Sequence, residues 1–224
     1  MCASPAGLPS YADQGYWEQR YAAASLDWPH EGPNGGVGEG GSSHTEWYAT
    51  WHQLRSKLCE PAEVLGPSVL RPGTTVLDIG CGDSALAADM AAEGFSVCAI
   101  DFSGSAVVRA HTAACRSTKG GHLSFAVADV RSLPFADARF DLVIDKGCFD
   151  ALRSRDCSSV LGEVCRVLVP GGLFVCISNN EALLQSHARR VAGLRRAGGS
   201  PSAVYFNDDE VFLHCFERSE TPLR

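Results

Sequence analysis

Short apolar segments alternate with helical patterns from residue 74 to residue 197, and this alternation limits the possible folds more than any other feature of the chain. Strands that alternate with helices form a parallel sheet whose two faces are covered by the helices. Two apolar segments close together, AVYF (203–206) and VFLHCF (211–216), predict a hairpin that adds an antiparallel strand. The predicted fold is therefore α/β, with a doubly wound, mostly parallel sheet and an antiparallel C-terminal hairpin strand. The other predicted strands are TTVLDI (74–79), SVCAID (96–101), LSFAVAD (123–129), FDLVIDK (140–146) and LFVCIS (173–178), and the predicted helices are 84–94, 103–115, 156–168 and 180–197.

The first 60 residues differ from the rest and are predicted to form an extension to a single domain spanning residues 61–224. Helical patterns cover residues 13–24 and 45–58. Between them, residues 29–43 contain six glycines and cannot pack a core, so a loop is predicted. This loop either covers a ligand or is an insertion without a role, and we favour the second interpretation.

The charge of the chain argues against one class of partner. The net charge is -7 at pH 7, whereas binding of nucleic acid needs a basic face. An acidic chain suits a basic protein partner, but many enzymes are mildly acidic without such a partner. The sequence has no apolar run of 18 residues, so we expect no membrane-spanning helix.

The ten cysteines are a high number, and no two of them form a C-x-x-C motif, so a zinc ribbon is not expected. Several lie in apolar strands, such as Cys98 and Cys176, where a cysteine acts as a small buried hydrophobe. Free thiols in this number indicate a reducing compartment. The N-terminus lacks the basic start and apolar core of a signal peptide, and we expect a cytoplasmic protein. The seven histidines are scattered without ligand spacing, so no metal site is expected.

The stretch VLDIGCGDSALAADM (76–90) reads as a strand, a glycine turn and the start of a helix. Gly80, Gly82 and Ala85 fit the pattern G-x-G-x-x-A, which lets the backbone approach a nucleotide closely. Asp101 ends the next strand, where a carboxylate can hold two ribose hydroxyls. Both a nicotinamide dinucleotide and a methyl donor built on adenosine would use these residues.

Two further acids favour the methyl donor. Asp78 lies two residues before Gly80, and its negative charge near a pyrophosphate would be unfavourable. A methyl donor carries a sulfonium and an ammonium instead of phosphates, so carboxylates suit it. Asp129 ends the third strand, where its carboxylate can meet an adenine amino group.

Together with the segment RVLVPGGLFVCIS and the closing hairpin, these residues resemble the class I methyltransferases that use S-adenosylmethionine. The resemblance covers residues 74–178 and implies a seven-stranded, Rossmann-like sheet that binds this cofactor.

A narrower resemblance adds motifs outside that core. YWEQRY (16–21), EWY (46–48), DVRSLPF (129–135) and FDLVIDKGCFDAL (140–152) resemble the lysine methyltransferases of translation elongation factor 1A. The pattern of that family is [DE]-K-G-T-L-D-A-L, and Cys148 and Phe149 depart from it. We expect these two positions to border the acceptor pocket, so the departures bear on the substrate rather than on the cofactor. The resemblance implies a protein substrate, such as elongation factor 1A.

The resemblance also implies which residues contact the cofactor. Aromatic side chains from the first 60 residues would close over it, although the same aromatics would equally serve to dock the N-terminal helices. Lys146 is expected to contribute through its backbone, because a bare ammonium beside a sulfonium is unfavourable. Together with Asp78 and Gly82, the expected cofactor residues are Trp17, Tyr21, Trp47, Gly80, Asp101, Phe102, Asp129, Val130 and Lys146.

Asp145 and Asp150 are the acids nearest the expected methyl site and are the predicted catalytic residues, as carboxylates that orient an acceptor amine. Asp150 would equally suit a cap for the helix that follows. A lysine must be neutral to attack, and both a desolvated pocket and a nearby sulfonium lower its pKa. A dedicated base is therefore not required.

Three other functions stay open at this stage. The same core serves small-molecule methyltransferases, because a fold does not determine its substrate. A non-catalytic binding partner would keep the fold without the chemistry. A nicotinamide oxidoreductase would share the glycine turn and the acid at the end of the second strand.

Overall fold

A large mixed β-sheet lies at the centre of the part of the chain that the computed structural model describes, namely residues 10–23, 35–37, 45–59, 70–115, 121–197, 202–206 and 209–219. The helices are α1 (Gln14–Ala23), α2 (Trp51–Cys59), α3 (Leu86–Ala92), α4 (Gly104–Ala114), α5 (Cys148–Ala151), α6 (Ser154–Val167) and α7 (Glu181–Ala188). The strands are β1 (Gly35–Val37), β2 (Thr45–Trp47), β3 (Thr75–Ile79), β4 (Ser96–Asp101), β5 (His122–Val127), β6 (Phe140–Lys146), β7 (Leu168–Ser178), β8 (Leu194–Arg196), β9 (Ser202–Phe206) and β10 (Asp209–Arg218).

The strand order of the large sheet confirms the predicted doubly wound fold. The order is β5-β4-β3-β6-β7-β10-β8, and the pairs from β5 to β7 are parallel. β10 is antiparallel to β7, and β8 and β9 pair with opposite ends of β10. Because β8 and β9 both lie beside β10, one at each end, the eight strands occupy seven positions across the sheet. The chain winds outward from β3 to β5 and then returns to β6 on the other side of β3, so a ligand crevice is expected at the carboxyl ends of these strands.

Two apolar layers hold the sheet between helices. On one face, Leu54 of α2 and Met90 of α3 pack against strand residues such as Ile144. On the other face, Leu161 of α6 packs in a cluster with Phe174 of β7. All five side chains are fully buried. Successive residues of the central strands face opposite layers, which explains why these strands are apolar throughout.

The end of α3 follows its predicted position at Gly94. The N–H of Gly94 donates to the carbonyl of Ala91, and the N–H of Phe95 donates to the carbonyl of Met90. These two bonds form a Schellman motif, which needs a left-handed residue at Gly94, and its φ is +94°.

The prediction of a single helix over residues 45–58 is wrong in its first third. Thr45–Trp47 forms β2, which pairs with β1, and the helix begins at Trp51. The carboxylate of Glu46 accepts bonds from the ammonium of Lys146 at 2.9 Å and from the N–H of Ala85 at 2.8 Å. These bonds hold the segment in an extended form. Tyr48 follows with a φ of +63°, which a helix does not accept.

Other boundaries also differ from the predictions. The predicted helix over 180–197 ends at Ala188, and residues 194–196 form β8 instead. The predicted turn before LFVCIS lies inside β7 as a bulge, because Leu168 and Leu173 pair with Phe140 and Leu142 of β6. In the glycine-rich segment, Gly35–Val37 forms β1, and the rest of residues 29–43 lies outside the described residues.

Nine cysteines lie within the described ranges, and all nine are free thiols. Cys176 is fully buried in β7 and Cys98 is half-buried in β4, as expected for small apolar residues. No helix in the described ranges has the length and apolar character needed to cross a membrane.

Two glycine substitutions test how the helices end and continue. Gly94→Ala should lower the free energy of unfolding by about 1 kcal/mol, because an L-residue is strained in the left-handed region. Gly162→Ala, inside α6 and with open space around a new methyl group, should raise it by about 0.5–1 kcal/mol. Urea unfolding of both variants measures these changes. Equal changes of the same sign would contradict the placement of Gly94 at a left-handed helix end and of Gly162 inside a helix.

Candidate functional site

One cleft lies at the carboxyl ends of β3, β4 and β6, where the strand order reverses. α1 and β2 provide its other wall. All eleven residues predicted to bind a cofactor line this cleft, although they come from segments far apart in the chain: Trp17, Tyr21, Trp47, Asp78, Gly80, Gly82, Asp101, Phe102, Asp129, Val130 and Lys146.

The glycine turn after β3 has no room for side chains. Gly80 has a φ of +65°, and a Cβ atom there would lie 2.5 Å from the Cβ of Cys148. Gly82 has a φ of +53°, and a Cβ atom there would overlap the hydroxyl of Tyr21. The backbone of this turn is therefore packed closely against Cys148 of α5 and Tyr21 of α1, and only glycine fits at these two positions.

Asp101 is fixed at the end of β4 by two backbone donors. Its carboxylate accepts from the N–H of Gly82 at 2.9 Å and from the N–H of Ser103 at 2.8 Å. Burial raises the pKa of Asp101, and the two hydrogen bonds oppose this rise. The carboxylate connects the glycine turn to the start of α4, at the position predicted for a ribose contact.

Asp78 is a buried carboxylate that faces the cleft with unused bonding capacity. Only 2% of the residue is exposed, and its Oδ2 atom has no hydrogen-bond partner among the described residues. Burial raises the pKa of Asp78 to about 7, while the positive charge of Lys146 opposes the rise. A ligand with a positive charge or an N–H donor would satisfy this oxygen.

The ammonium of Lys146 is occupied inside the protein. It donates to the carboxylate of Glu46 at 2.9 Å and to the carbonyl of Trp47 at 2.9 Å. Lys146 is expected from the sequence to contribute only its backbone, because a bare ammonium would repel a sulfonium. The ammonium is not bare, however, because the carboxylate of Glu46 neutralises it. Glu46 is a site residue that the sequence reasoning missed, although it lies in the quoted motif EWY.

Glu46 also occupies the start of α3. Its carboxylate accepts from the N–H of Ala85 at 2.8 Å and from the hydroxyl of Ser84 at 3.0 Å. In dinucleotide-binding folds the pyrophosphate binds at the N-terminus of this helix. A carboxylate in that position repels a phosphate, so the cleft does not suit a nicotinamide dinucleotide.

The aromatic residues of the N-terminal segment both dock it and line the cleft. The rings of Trp17 and Tyr21 stack with centroids 5.9 Å apart, and the rings of Trp17 and Trp47 form a T-shaped pair with centroids 6.1 Å apart. Glu18 fastens α1 to the start of α4 through bonds to the hydroxyls of Ser103 and Ser105, at 2.7 and 2.6 Å. The sequence left open whether these aromatic residues cover a ligand or dock the N-terminal helices. In the structure the same residues dock α1 and line the cleft.

Arg20 lies within this aromatic group and was not among the predicted residues, although it belongs to the quoted motif YWEQRY. Its guanidinium carbon lies 5.6 Å from the ring centroid of Trp17 and 5.3 Å from that of Trp47. Only 8% of Arg20 is exposed.

Asp129 follows β5 and is held by a neighbouring cation. The guanidinium of Arg131 donates to both carboxylate oxygens, with its shortest contact at 2.6 Å. These bonds hold the pKa of Asp129 below its usual range. Val130, the next residue, is buried. At the end of β4, the backbone carbonyl of Phe102 accepts a hydrogen bond from the side chain of Gln14 in α1.

The structure separates the two predicted catalytic acids. Asp150 lines the cleft, where its carboxylate accepts from the hydroxyls of Tyr48 at 2.8 Å and Ser178 at 2.5 Å. Its described bonds go to these groups and to the N–H of Asn179, and α6 begins at Ser154 without a side-chain cap. The capping interpretation of Asp150 is therefore wrong. Burial raises the pKa of Asp150.

Asp145 lies beneath the cleft and does not line it. The residue is fully buried, and its carboxylate accepts a bond from the N–H of Phe149 in α5. Its Oδ2 atom has no partner among the described residues. Burial raises the pKa of Asp145 well above its usual value, so the group favours its neutral form.

The two departures from the family pattern are not equivalent. Cys148 lines the cleft and packs against Gly80. Phe149 is fully buried in the apolar layer with α6 and does not line the cleft. The expectation that both positions border the acceptor pocket is therefore wrong for Phe149, whose larger ring fills the core.

Among the described residues, no group of three or more histidine, cysteine or acidic side chains is placed to hold a metal ion.

Comparison with known proteins identifies relatives of this chain. A family model described as "Methyltransferase domain" matches residues 70–198. EEF1A lysine methyltransferase 4 of Bos taurus is 33% identical, over 94% of this chain and 77% of the relative. The human eEF1A lysine and N-terminal methyltransferase is 32% identical over 68% of this chain, which spans 21% of that relative's length.

Solved structures share the fold at low sequence identity. A methyltransferase from Methanosarcina mazei, described as SAM-dependent, has a TM-score of 0.54 at 20% identity, over 67% of this chain and 94% of that chain. Magnesium protoporphyrin IX methyltransferase from Synechocystis, solved with bound SAH, has a TM-score of 0.57 at 17% identity, over 66% of this chain and 75% of that chain. These similarities support the sheet order described above.

Asp78→Asn should change how stability depends on pH. The folded-state pKa of about 7 lies above the unfolded value of about 3.9, so the folded protein holds the proton more tightly. This stabilisation is fully present below about pH 4 and is lost as the pH rises through 7. Between pH 4 and pH 8 the wild type should therefore lose on the order of 4 kcal/mol relative to the variant. Urea unfolding of both proteins between pH 4 and pH 8 measures this difference. If the free energy of unfolding depends on pH in the same way in both proteins, the prediction is wrong.

Proposed function

Because this chain belongs to the family described as Methyltransferase domain, and is thus an S-adenosylmethionine-dependent methyltransferase, we propose that its acceptor is a lysine side chain of a protein. The likeness to bovine EEF1A lysine methyltransferase 4 along nearly the whole chain carries this proposal. Elongation factor 1A is accordingly the proposed substrate.

The residues of the cleft fit the cofactor. The Oδ2 atom of Asp78, which has no hydrogen-bond partner among the described residues, suits a cationic or N–H-bearing group. The glycine turn lines the same cleft. When bound, S-adenosylmethionine supplies a methyl group attached to a positively charged sulfur. We assign the ribose hydroxyls to Asp101 and the adenine amino group to Asp129. The aromatic residues of α1 and β2 form the lid over this site, so residues 1–60 act as a cofactor-covering extension of the domain at 61–224.

The aromatic lid suits the charge of this cofactor. Trp17, Tyr21 and Trp47 line the cleft, and an aromatic ring attracts a cation that lies over its face by roughly 0.5–2 kcal/mol. Because Glu46 neutralises Lys146, the ammonium of Lys146 does not oppose a cationic ligand. Positioning of donor and acceptor in this enclosed space is the main contribution to catalysis, since methyl transfer is an in-line displacement.

We assign the orientation of the acceptor amine to Asp150. Its carboxylate lines the cleft and is held in place by the hydroxyls of Tyr48 and Ser178. The hydroxyl of Tyr48 stays protonated because burial and the charge of Asp150 raise its pKa. A lysine that enters this partly buried space loses its proton more readily than in water, where its pKa is about 10.4.

Asp145 has a different proposed role from Asp150. Because it bonds the backbone of α5 and does not line the cleft, we propose that it positions this short helix. α5 carries Cys148 and Asp150, so Asp145 acts on the acceptor through them.

The wider properties of the chain agree with a protein substrate in the cytoplasm. The free thiols within the described ranges suit a reducing compartment. The net charge of -7 favours a basic protein surface over nucleic acid.

The direct test incubates the purified chain with S-adenosylmethionine and unmethylated elongation factor 1A. We expect methylated lysine in the factor by mass spectrometry, and none with Gly80→Arg, whose side chain has no room beside Cys148 and therefore disrupts the glycine turn. Cofactor binding without any methylation of the factor would contradict the proposed substrate. Labelling of small molecules from a dialysable lysate fraction would then indicate the small-molecule alternative.

Asp150→Asn tests the acceptor site separately from the cofactor site. The variant should lower kcat by about 10- to 100-fold, because a neutral amide oxygen accepts a hydrogen bond from the amine N–H more weakly than a carboxylate does. Calorimetry should give an affinity for S-adenosylhomocysteine within about twofold of the wild type, since the amide keeps the shape of the site. Unchanged kcat at saturating acceptor would exclude the orienting role.

A further inference from the structure

The carboxylate of Asp150 is held by three neutral donors, and it keeps room for about one more hydrogen bond. Its Oδ2 atom accepts from the hydroxyl of Tyr48 at 2.8 Å and from the N–H of Asn179 at 3.3 Å. Its Oδ1 atom accepts from the hydroxyl of Ser178 at 2.5 Å, whereas the N–H of Asn180 donates to that hydroxyl and not to the carboxylate. A carboxylate accepts about four hydrogen bonds, so Oδ1 has the remaining capacity.

The other acids that line the cleft are engaged elsewhere. Both oxygens of Asp129 accept from the guanidinium of Arg131. The oxygens of Asp156 lie 3.9 Å from Arg131 and 3.8 Å from Arg155, so nearby cations compensate this charge as well. The acids of β3 and β4 are assigned above to the cofactor. Asp150 is therefore the acid of the cleft that is left for an acceptor amine.

A lysine nitrogen loses one N–H group with each methyl group that it gains. In each transfer the lone pair of a neutral amine bonds to the methyl carbon, and the electrons of the broken carbon–sulfur bond return to sulfur. The nitrogen becomes an ammonium, which releases a proton to water before the next transfer. The neutral amine thus has two N–H groups before the first transfer, one before the second and none before the third.

A carboxylate orients a neutral amine only through an N–H group. One hydrogen bond from the amine to Asp150 uses its remaining capacity and leaves the lone pair of the nitrogen free for the methyl carbon. A dimethylated amine has no N–H to donate. The hydroxyls of Tyr48 and Ser178 cannot replace this contact, because both donate to Asp150, and a donor that bound the amine would occupy the lone pair that reacts.

We propose that the enzyme stops at dimethyllysine, because Asp150 orients the acceptor nitrogen through a single N–H that is present for the first two transfers and absent for the third. This inference rests on the proposed lysine acceptor and on the orienting role of Asp150. It makes Asp150 the residue that sets the number of methyl groups.

A time course of methylation tests the limit. The purified chain, in excess over unmethylated elongation factor 1A and with saturating S-adenosylmethionine, gives three successive rate constants from the fractions of each methylation state by mass spectrometry. The third constant should be about 10- to 100-fold below the second, as expected for the loss of one hydrogen bond to a charged group. A wild type that stops after one transfer, or completes three at similar rates, would show that the proposal is wrong.

Asp150→Ala separates this role from a steric limit and from a loss of structure. The variant should lower the first two constants by about 10- to 100-fold and leave the third within about twofold, so that the three become similar. Asp89→Ala, at an exposed acid of α3, should keep the wild-type constants. If Asp150→Ala lowers all three constants by one factor, or keeps the third far below the second, Asp150 does not set the limit.

Two other outcomes are covered by the same experiment. If Asp150→Ala does not fold, Asp150→Asn replaces it, and the third constant should again change less than the first two. If the wild type transfers no methyl group to elongation factor 1A at all, the proposed substrate fails first and the inference falls with it.

Discussion

The carboxylate of Glu46 lies 2.9 Å from the ammonium of Lys146, across 100 residues of chain, and both side chains are almost fully buried. The rest of the cleft depends on this ion pair. It connects β2 to the end of β6, so the segment that carries Trp47 and Tyr48 stays extended against the sheet. Loss of one partner of a buried pair commonly costs about 3–5 kcal/mol, because the other charge is left without compensation.

The same pair explains how the cleft selects its ligand. Glu46 occupies the position at the start of α3 where a pyrophosphate would bind, and it cancels the charge of Lys146 that would repel a sulfonium. Asp78 lies beneath this pair, and its buried Oδ2 atom has no hydrogen-bond partner within the described ranges. An unsatisfied carboxylate destabilises the folded protein, and such a group at a cleft is typical of a binding site that its ligand completes.

The sequence was sufficient for the features that depend on local pattern. The order of strands and helices, the glycine turn and Asp101 follow from periodicity and from the chemistry of short motifs. Residues 45–47 were predicted as helix because their neighbours repeat at helical spacing, whereas the partner that holds them extended, Lys146, is distant in the chain. Asp145 illustrates the same limit, since burial beneath the cleft is set by the packing of α5 and not by the neighbouring residues.

The most direct test of the central claim is a calorimetric titration of the wild-type chain with S-adenosylhomocysteine and, separately, with NADH. The arrangement of Glu46, Lys146 and Asp78 predicts saturable binding of S-adenosylhomocysteine and no binding of NADH at the same concentrations. Tight binding of NADH, with none of S-adenosylhomocysteine, would contradict the account of how these three charges select a methyl donor.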